Sequence, residues 1–214
     1  MYILNKELFF PPVKFANDDG MFAIGGDLSS ERLLLAYRNG IFPWYNEHEP
    51  ICWYCPDPRF VLFPAELNIS KSMRTIINSG MFSFTVNTAF NEVIKNCKTV
   101  YRKDQPGTWI SNEIIEAYSA LHAQGYVHSA ETWNNGELVG GLYGIRMGKV
   151  FFGESMFNKQ SNASKFAFIK YVQYLQKQDV ELIDCQVYTP HLQSLGAKMI
   201  GRDYFLQLLR SLIN

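Results

Sequence analysis

Apolar positions along this chain change period several times, and each change marks an element. In residues 111–124, Ile114, Ile115, Tyr118 and Leu121 recur at helical spacing, and Gly125 stops the run. The period then falls to two. Residues 128–133 alternate as a strand, Asn134-Asn135-Gly136 supplies a hairpin turn, and residues 137–145 return. Arg146-Met147-Gly148-Lys149 turns the chain again into the apolar run 150–154, so a three-stranded antiparallel meander is expected. Glycines at 140, 141 and 144 weaken the returning strand and point to a bulge, or to close approach of another backbone or a ligand.

Upstream, residues 30–39 read as a short helix with Asp27 or Ser29 as cap and Gly40 as stop. A short strand at 60–63, a helix at 70–80, a strand at 82–86 and a helix at 89–98 follow. Downstream come a helix capped by Asn162 and running to about 178, a strand at 181–187, a short helix at 191–195, a strand at 196–200 and a terminal helix at 203–212. Alternation sets Ile183, Cys185 and Val187 on one face of the 181–187 strand and Leu182, Asp184 and Gln186 on the other. A carboxylate and an amide thus point the same way from a strand expected to be central. Satisfying a neighbouring loop and catalysis are both open for them at this stage.

The aromatic residues of 41–45 and 51–55 lie between prolines, too interrupted for a regular element and too apolar for a solvated loop. They are expected to line a domain seam or a ligand pocket. Glu154 also stands out, because an acid set between Val150-Phe151-Phe152-Gly153 and Met156-Phe157 is costly to desolvate unless something pairs with it.

With 214 residues, 47% of them hydrophobic, the chain can bury a core in two unequal parts, a small N-terminal domain over 1–60 and a larger one over 61–214. Twenty basic residues balance twenty acidic ones, which argues against broad electrostatic binding of nucleic acid but leaves room for a local patch. Lys71, Arg74, Lys95, Lys98, Arg102 and Lys103 could form one or simply be solvated. No apolar run reaches the roughly 18 residues of a membrane span, and the N-terminus lacks an export pattern, so a cytoplasmic protein with reduced thiols is expected. Cys52 and Cys55, with His48 nearby, have the spacing of half a zinc site, but no second pair completes it and a packed turn is the simpler reading. Gly25-Gly26 before a helix could cradle a phosphate, yet the full spacing of a phosphate loop is missing.

An ordered set of segments changes the picture. Gly26-Asp27-Leu28-Ser29, Gly40-Ile41-Phe42-Pro43-Trp44, Pro56-Asp57-Pro58-Arg59, Thr108-Trp109-Ile110, Gly140-Gly141-Leu142-Tyr143-Gly144, Gly153-Glu154-Ser155-Met156-Phe157, Asn162-Ala163-Ser164-Lys165, Ile183-Asp184-Cys185-Gln186 and Ser194-Leu195-Gly196-Ala197 together resemble the leucyl/phenylalanyl-tRNA–protein transferases along nearly the whole chain. The resemblance implies an α+β protein, a small N-terminal domain followed by a GNAT-like acyltransferase domain with a mixed, mainly antiparallel sheet flanked by helices. It implies transfer of leucine or phenylalanine, less readily methionine, from aminoacyl-tRNA to the α-amine of an N-terminal Arg or Lys, marking the acceptor for N-degron proteolysis. The aminoacyl ester is already activated, so the chemistry calls for alignment rather than for a cofactor or a metal.

Carried over residue by residue, Asp184 and Gln186 would orient the amine and relay its proton, and Glu154 would recognise the cationic acceptor. Leu142, Phe151, Met156, Phe168 and Ile183 would hold the transferred side chain, and methionine suits a pocket that must take both Leu and Phe. Trp44, Tyr37 and Trp109 would meet the 3′ end of the tRNA, with Trp44 stacking on the terminal adenosine. Lys71 and Arg74, helped by Lys95 or Arg102, would touch the tRNA body. Family members can carry a denser basic cluster there than Thr75-Ile76-Ile77-Asn78 allows, so weak holding through the acceptor end is expected. The competing readings are an acyl-coenzyme A-dependent enzyme of the same fold and a non-catalytic tRNA-binding module. The stretch Asn158-Lys159-Gln160-Ser161-Asn162 has no glycine for a pyrophosphate loop, and balanced charge disfavours the binding module.

Overall fold

The computed structural model describes residues 1–100 and 108–213, so Arg102 and Lys103 lie outside the described residues. Near the N-terminus, β1 (Tyr2–Leu4), β2 (Met21–Gly25), β3 (Phe42–Pro43) and β4 (Cys52–Tyr54) form a four-stranded sheet in the order β1-β2-β4-β3. Helix α1 (Ser30–Arg38) crosses from β2 to β3, and its cap is Ser29, whose hydroxyl accepts from the Arg32 N–H. This small sheet corrects the reading of the proline-flanked aromatics as irregular. Phe42 and Pro43 pair with Tyr54 and Trp53 as short strands, because aromatic side chains pack well across a pleated pair.

The large sheet has seven strands: β5 (Arg59–Leu62), β6 (Ser83–Val86), β7 (Val127–Asn134), β8 (Glu137–Met147), β9 (Val150–Asn158), β10 (Leu182–Gln186) and β11 (Lys198–Ile200). Their order is β11-β5-β10-β9-β8-β7-β6. The expected meander is β7-β8-β9, paired antiparallel throughout. Among the described residues the large sheet holds one parallel pair, β9 with β10, and α5 (Ala163–Gln176) is the crossover that a parallel connection requires. The remaining helices are α2 (Lys71–Asn78), α3 (Phe90–Thr99), α4 (Asn112–Ala123), α6 (Pro190–Gln193) and α7 (Arg202–Leu212). The protein is thus α+β, with a mixed, mainly antiparallel sheet between helices.

Period-two alternation divides the interior into two layers. Tyr143, Phe152 and Leu182 pack with Leu33 and Tyr37 of α1, Val93 of α3, Tyr118 of α4 and Phe205 of α7. Leu142, Phe151 and Ile183 point the other way, onto Met73 of α2 and Phe166, Ile169 and Val172 of α5. The alternation read along 181–187 therefore holds from Leu182 to Cys185. Residue 60 falls inside β5, and the first layer is continuous from Phe22 and Trp53 to Leu182.

Two further expectations change. The strand expected to close at Glu154 continues to Asn158, since its edge keeps pairing with β8 as far as Gly140. Asn162 stands at the start of α5 but in the left-handed region at φ 66°, and its side chain makes no capping bond. The glycine-rich strand does meet close neighbours. A Cβ on Gly144 would lie 2.1 Å from the Phe152 carbonyl oxygen, and one on Gly140 would lie 2.6 Å from the Ala163 Cβ.

Arg59, fully buried, crosses between the two sheets. Its guanidinium donates to both oxygens of Asp184, Nε to Oδ1 at 2.8 Å and Nη2 to Oδ2 at 2.6 Å. The rings of Phe42 and Phe205 lie 4.8 and 4.6 Å from it. Arg59→Met leaves the Asp184 carboxylate buried without its cation, and urea unfolding should show a loss of about 3–5 kcal/mol.

Candidate active site

The parallel pairing of β9 with β10 runs through Val150–Leu182, Phe151–Ile183 and Phe152–Asp184 and then stops. Each strand is bulged just past that point. The β8–β9 register jumps from Gly144–Gly153 to Tyr143–Ser155, leaving Glu154 opposite no residue, and the β5–β10 register shifts between Asp184 and Gln186. Gln186 takes φ 62°, a costly conformation for a residue with a side chain. The strands separate there, and a cavity of about 440 Å³ fills the gap.

The split brings together most of the residues expected to act. Leu142, Phe151, Met156, Phe168 and Ile183 line the cavity, as do Glu154, Asp184 and Gln186. Trp44 and Trp109 line it from the side of the small sheet, Trp44 with 41% of its surface exposed. Tyr37 does not reach the cavity wall. It is fully buried, and its hydroxyl donates to Glu154 Oε1 at 2.7 Å, so it has no face to offer a nucleoside. Lys71 and Arg74 sit on exposed α2, away from the cavity, and Arg74 Nε donates to the Ile69 carbonyl at 3.1 Å.

Glu154 has the partners its cost demanded. Besides Tyr37, the Tyr118 hydroxyl donates to Oε2 at 3.1 Å and Gln186 Nε2 to Oε1 at 2.9 Å. Burial pushes its carboxyl up to about 7, against the opposing pull of the Tyr37 and Tyr118 hydroxyls; Asp184 adds to the rise. Both phenols are held well above their usual range, by burial first and by the neighbouring Glu154 second. Asp184 differs. Fully buried, it gives both oxygens to Arg59, and Oδ1 also accepts from the Gln186 N–H at 2.9 Å. It fixes the strained turn that aims Gln186, while Gln186 reaches Glu154. Arg59 and Tyr118 had no role assigned from the sequence. Arg59 lay in a matched segment without a task, and Tyr118 sits at core spacing in an amphipathic helix, where nothing marks a phenol as functional.

Comparison with known proteins identifies the family. The leucyl/phenylalanyl-tRNA protein transferase model matches residues 61–210, and the model of that family's N-terminal domain matches residues 26–57. A leucyl/phenylalanyl-tRNA–protein transferase of Flavobacterium johnsoniae is 59% identical over 99% of this chain and 100% of its own. Those of Christiangramia forsetii and Syntrophobacter fumaroxidans are 56% and 54% identical, each over 98% of this chain and over 100% and 89% of their own. A solved GCN5-related N-acetyltransferase from Kribbella flavida aligns with 82% of this chain and 62% of its own at 10% identity and a TM-score of 0.42, a likeness too loose to bear on the fold. The relatives place the chain among aminoacyl-tRNA–protein transferases. It belongs to the leucyl/phenylalanyl-tRNA–protein transferase family.

The raised carboxyl of Glu154 gives stability a sign. Between 4.5, its ordinary value, and about 7, the folded protein binds more protons than the unfolded chain. The contribution is fully present below 4.5 and is lost as pH rises to about 7. Urea unfolding across that window should show a decline of up to about 3 kcal/mol that is absent from Glu154→Gln.

Proposed function

We propose that the split between β9 and β10 accepts leucine or phenylalanine, less readily methionine, from aminoacyl-tRNA and passes it to the α-amine of an N-terminal Arg or Lys. The observation that carries this reading is the composition of one cavity: an apolar wall on the α5 side and the Glu154–Gln186 pair where the strands part. Leucine and phenylalanine fill a pocket of Leu142, Phe151, Met156, Phe168 and Ile183 without burying a polar atom, and the flexible thioether of Met156 adapts to either shape. Trp44 offers the terminal adenosine an exposed indole, with Trp109 beside it.

The acceptor enters as a free amine, attacks the ester carbonyl, and displaces the terminal ribose oxygen; the main demand on the protein is alignment. Glu154 supplies the negative charge that favours a cationic N-terminal residue. Gln186, fixed from behind by Asp184 and Arg59, orients the amine. Lys71 and Arg74 are too few to grip a tRNA body, so the tRNA is held weakly, through its acceptor end. The product joins the N-degron route to proteolysis, and the reaction takes place in the cytoplasm, where charged tRNA is found. No helix among the described residues is long and apolar enough to cross a membrane.

Purified protein, labelled Leu-tRNA and a peptide beginning with Arg or Lys should yield labelled peptide, whereas a peptide beginning with Asp should not. Phe168→Ala should raise the KM for Phe-tRNA about tenfold or more, through lost apolar contact. Binding measured against salt should give a shallow slope; a steep one would mean many phosphate contacts and would contradict acceptor-end holding.

A further inference from the structure

The two edges of β9 are paired over different lengths. Toward β10 the pairing ends at Phe152, opposite Asp184, whereas toward β8 it runs on to Asn158, opposite Gly140. Among the described residues no strand faces the β10 side of residues 153–158. A strand with one neighbour turns half of its backbone N–H and C=O groups to the empty side, where they stand ready to pair with another chain. Here the empty side is the cavity. Ser155, Met156 and Asn158 line it, and Gly153, Ser155 and Met156 are half-buried and Asn158 exposed, where Phe151 and Phe152 just before them are buried.

The gap is made by β10, at a conformational cost. At Gln186, φ 62°, the chain turns sharply, and the Val187 N–H donates back to the Cys185 carbonyl at 2.7 Å. A three-residue turn of that hand is rare and strained. Asp184 holds it through the Gln186 N–H, and Val187 then lines the same cavity. The turn strips β9 of its neighbour and leaves that edge open to whatever enters.

We propose that this edge binds the acceptor as an extended strand, residues 155–158 pairing through main-chain hydrogen bonds with the first residues of the acceptor polypeptide; this rests on the function proposed above. Four residues of strand span about 13 Å, room for about four residues of a partner. Direction follows from the site. The amine lies at Gln186, beside the point where β10 departs, so the acceptor runs from there toward Asn158, parallel to β9 and along the course that β10 abandons. A polypeptide complements such an edge because it alternates donors and acceptors at the strand's own spacing. The sugar-phosphate chain of a tRNA carries mainly acceptor oxygens, which leave the edge carbonyls unmet. Main-chain pairing supplies affinity with little regard to side chains, so selection is concentrated on the first residue, at Glu154.

Replacing single amides of the acceptor by esters tests the pairing, since each ester removes one donor without adding bulk. Arg-initiated peptides carry the ester at residue 3, 4 or 5, away from the α-amine, and are compared with the all-amide peptide at constant Leu-tRNA. The N–H groups of a parallel strand face a given neighbour at every second residue. Esters at 3 and 5 should therefore act alike and unlike the ester at 4: one class raises the KM for peptide about fivefold, the other leaves it unchanged, and kcat holds in both. Amide hydrogen exchange gives a readout that does not depend on turnover. Arg peptide should slow exchange at alternate amides within 155–158, and a non-hydrolysable Leu-tRNA alone should not. Equal effects of the ester at all three positions, or protection of these amides by the tRNA and not by the peptide, overturns the proposal. Failure of the all-amide Arg peptide to accept leucine would instead remove the function on which the proposal rests.

Discussion

The buried pair of Arg59 and Asp184 is the constraint from which the rest of the site follows. An ion pair removed from water returns little stability of its own, because desolvation consumes most of the attraction. What it provides is position. Arg59 opens β5, lies between a ring of the small sheet and a ring of the last helix, and takes both oxygens of an acid on the neighbouring strand. Asp184 then holds the Gln186 N–H, and Gln186 reaches Glu154. The chain of contacts runs from the domain junction to the cavity through groups with almost no freedom to move.

Much of this was legible in the sequence where one physical rule dominates. The meander is set by alternation and by Asn134-Asn135-Gly136, and the crossed faces of Leu182 and Ile183 follow from the pleat. The cost of Glu154 could be read from its apolar neighbours, and the apolar set Leu142, Phe151, Met156, Phe168 and Ile183 does meet in one cavity. The misses share a cause. The strand through Glu154 looked finished because a bulge inserts an acid without ending the pairing, and a bulge leaves no periodic trace. The small sheet escaped because its short strands lie among prolines and glycines, which read as turns and loops.

Tyr37 shows the limit of carrying a role across by position. Its place beside Gly40-Ile41-Phe42-Pro43-Trp44 suggests a surface task, but burial and a hydroxyl aimed at Glu154 give it an interior one. Tyr118 goes unmarked for the opposite reason, since a phenol at helical spacing is indistinguishable from a phenylalanine until its oxygen finds a partner. Both residues come from helices on the same face of the sheet, and neither is near Glu154 in sequence.

The gap between β9 and β10 has a consequence for anything lodged in the cavity. The sheet is the partition between the two interior layers, and the cavity is lined from both: Phe42, Trp109 and Tyr143 on one side, Leu142, Phe151 and Phe168 on the other. A molecule lodged there stands where a stretch of backbone pairing would otherwise be, with one end in each layer. The enzyme is in this sense a sheet with one seam left unsewn, and whatever occupies the seam touches both layers at once.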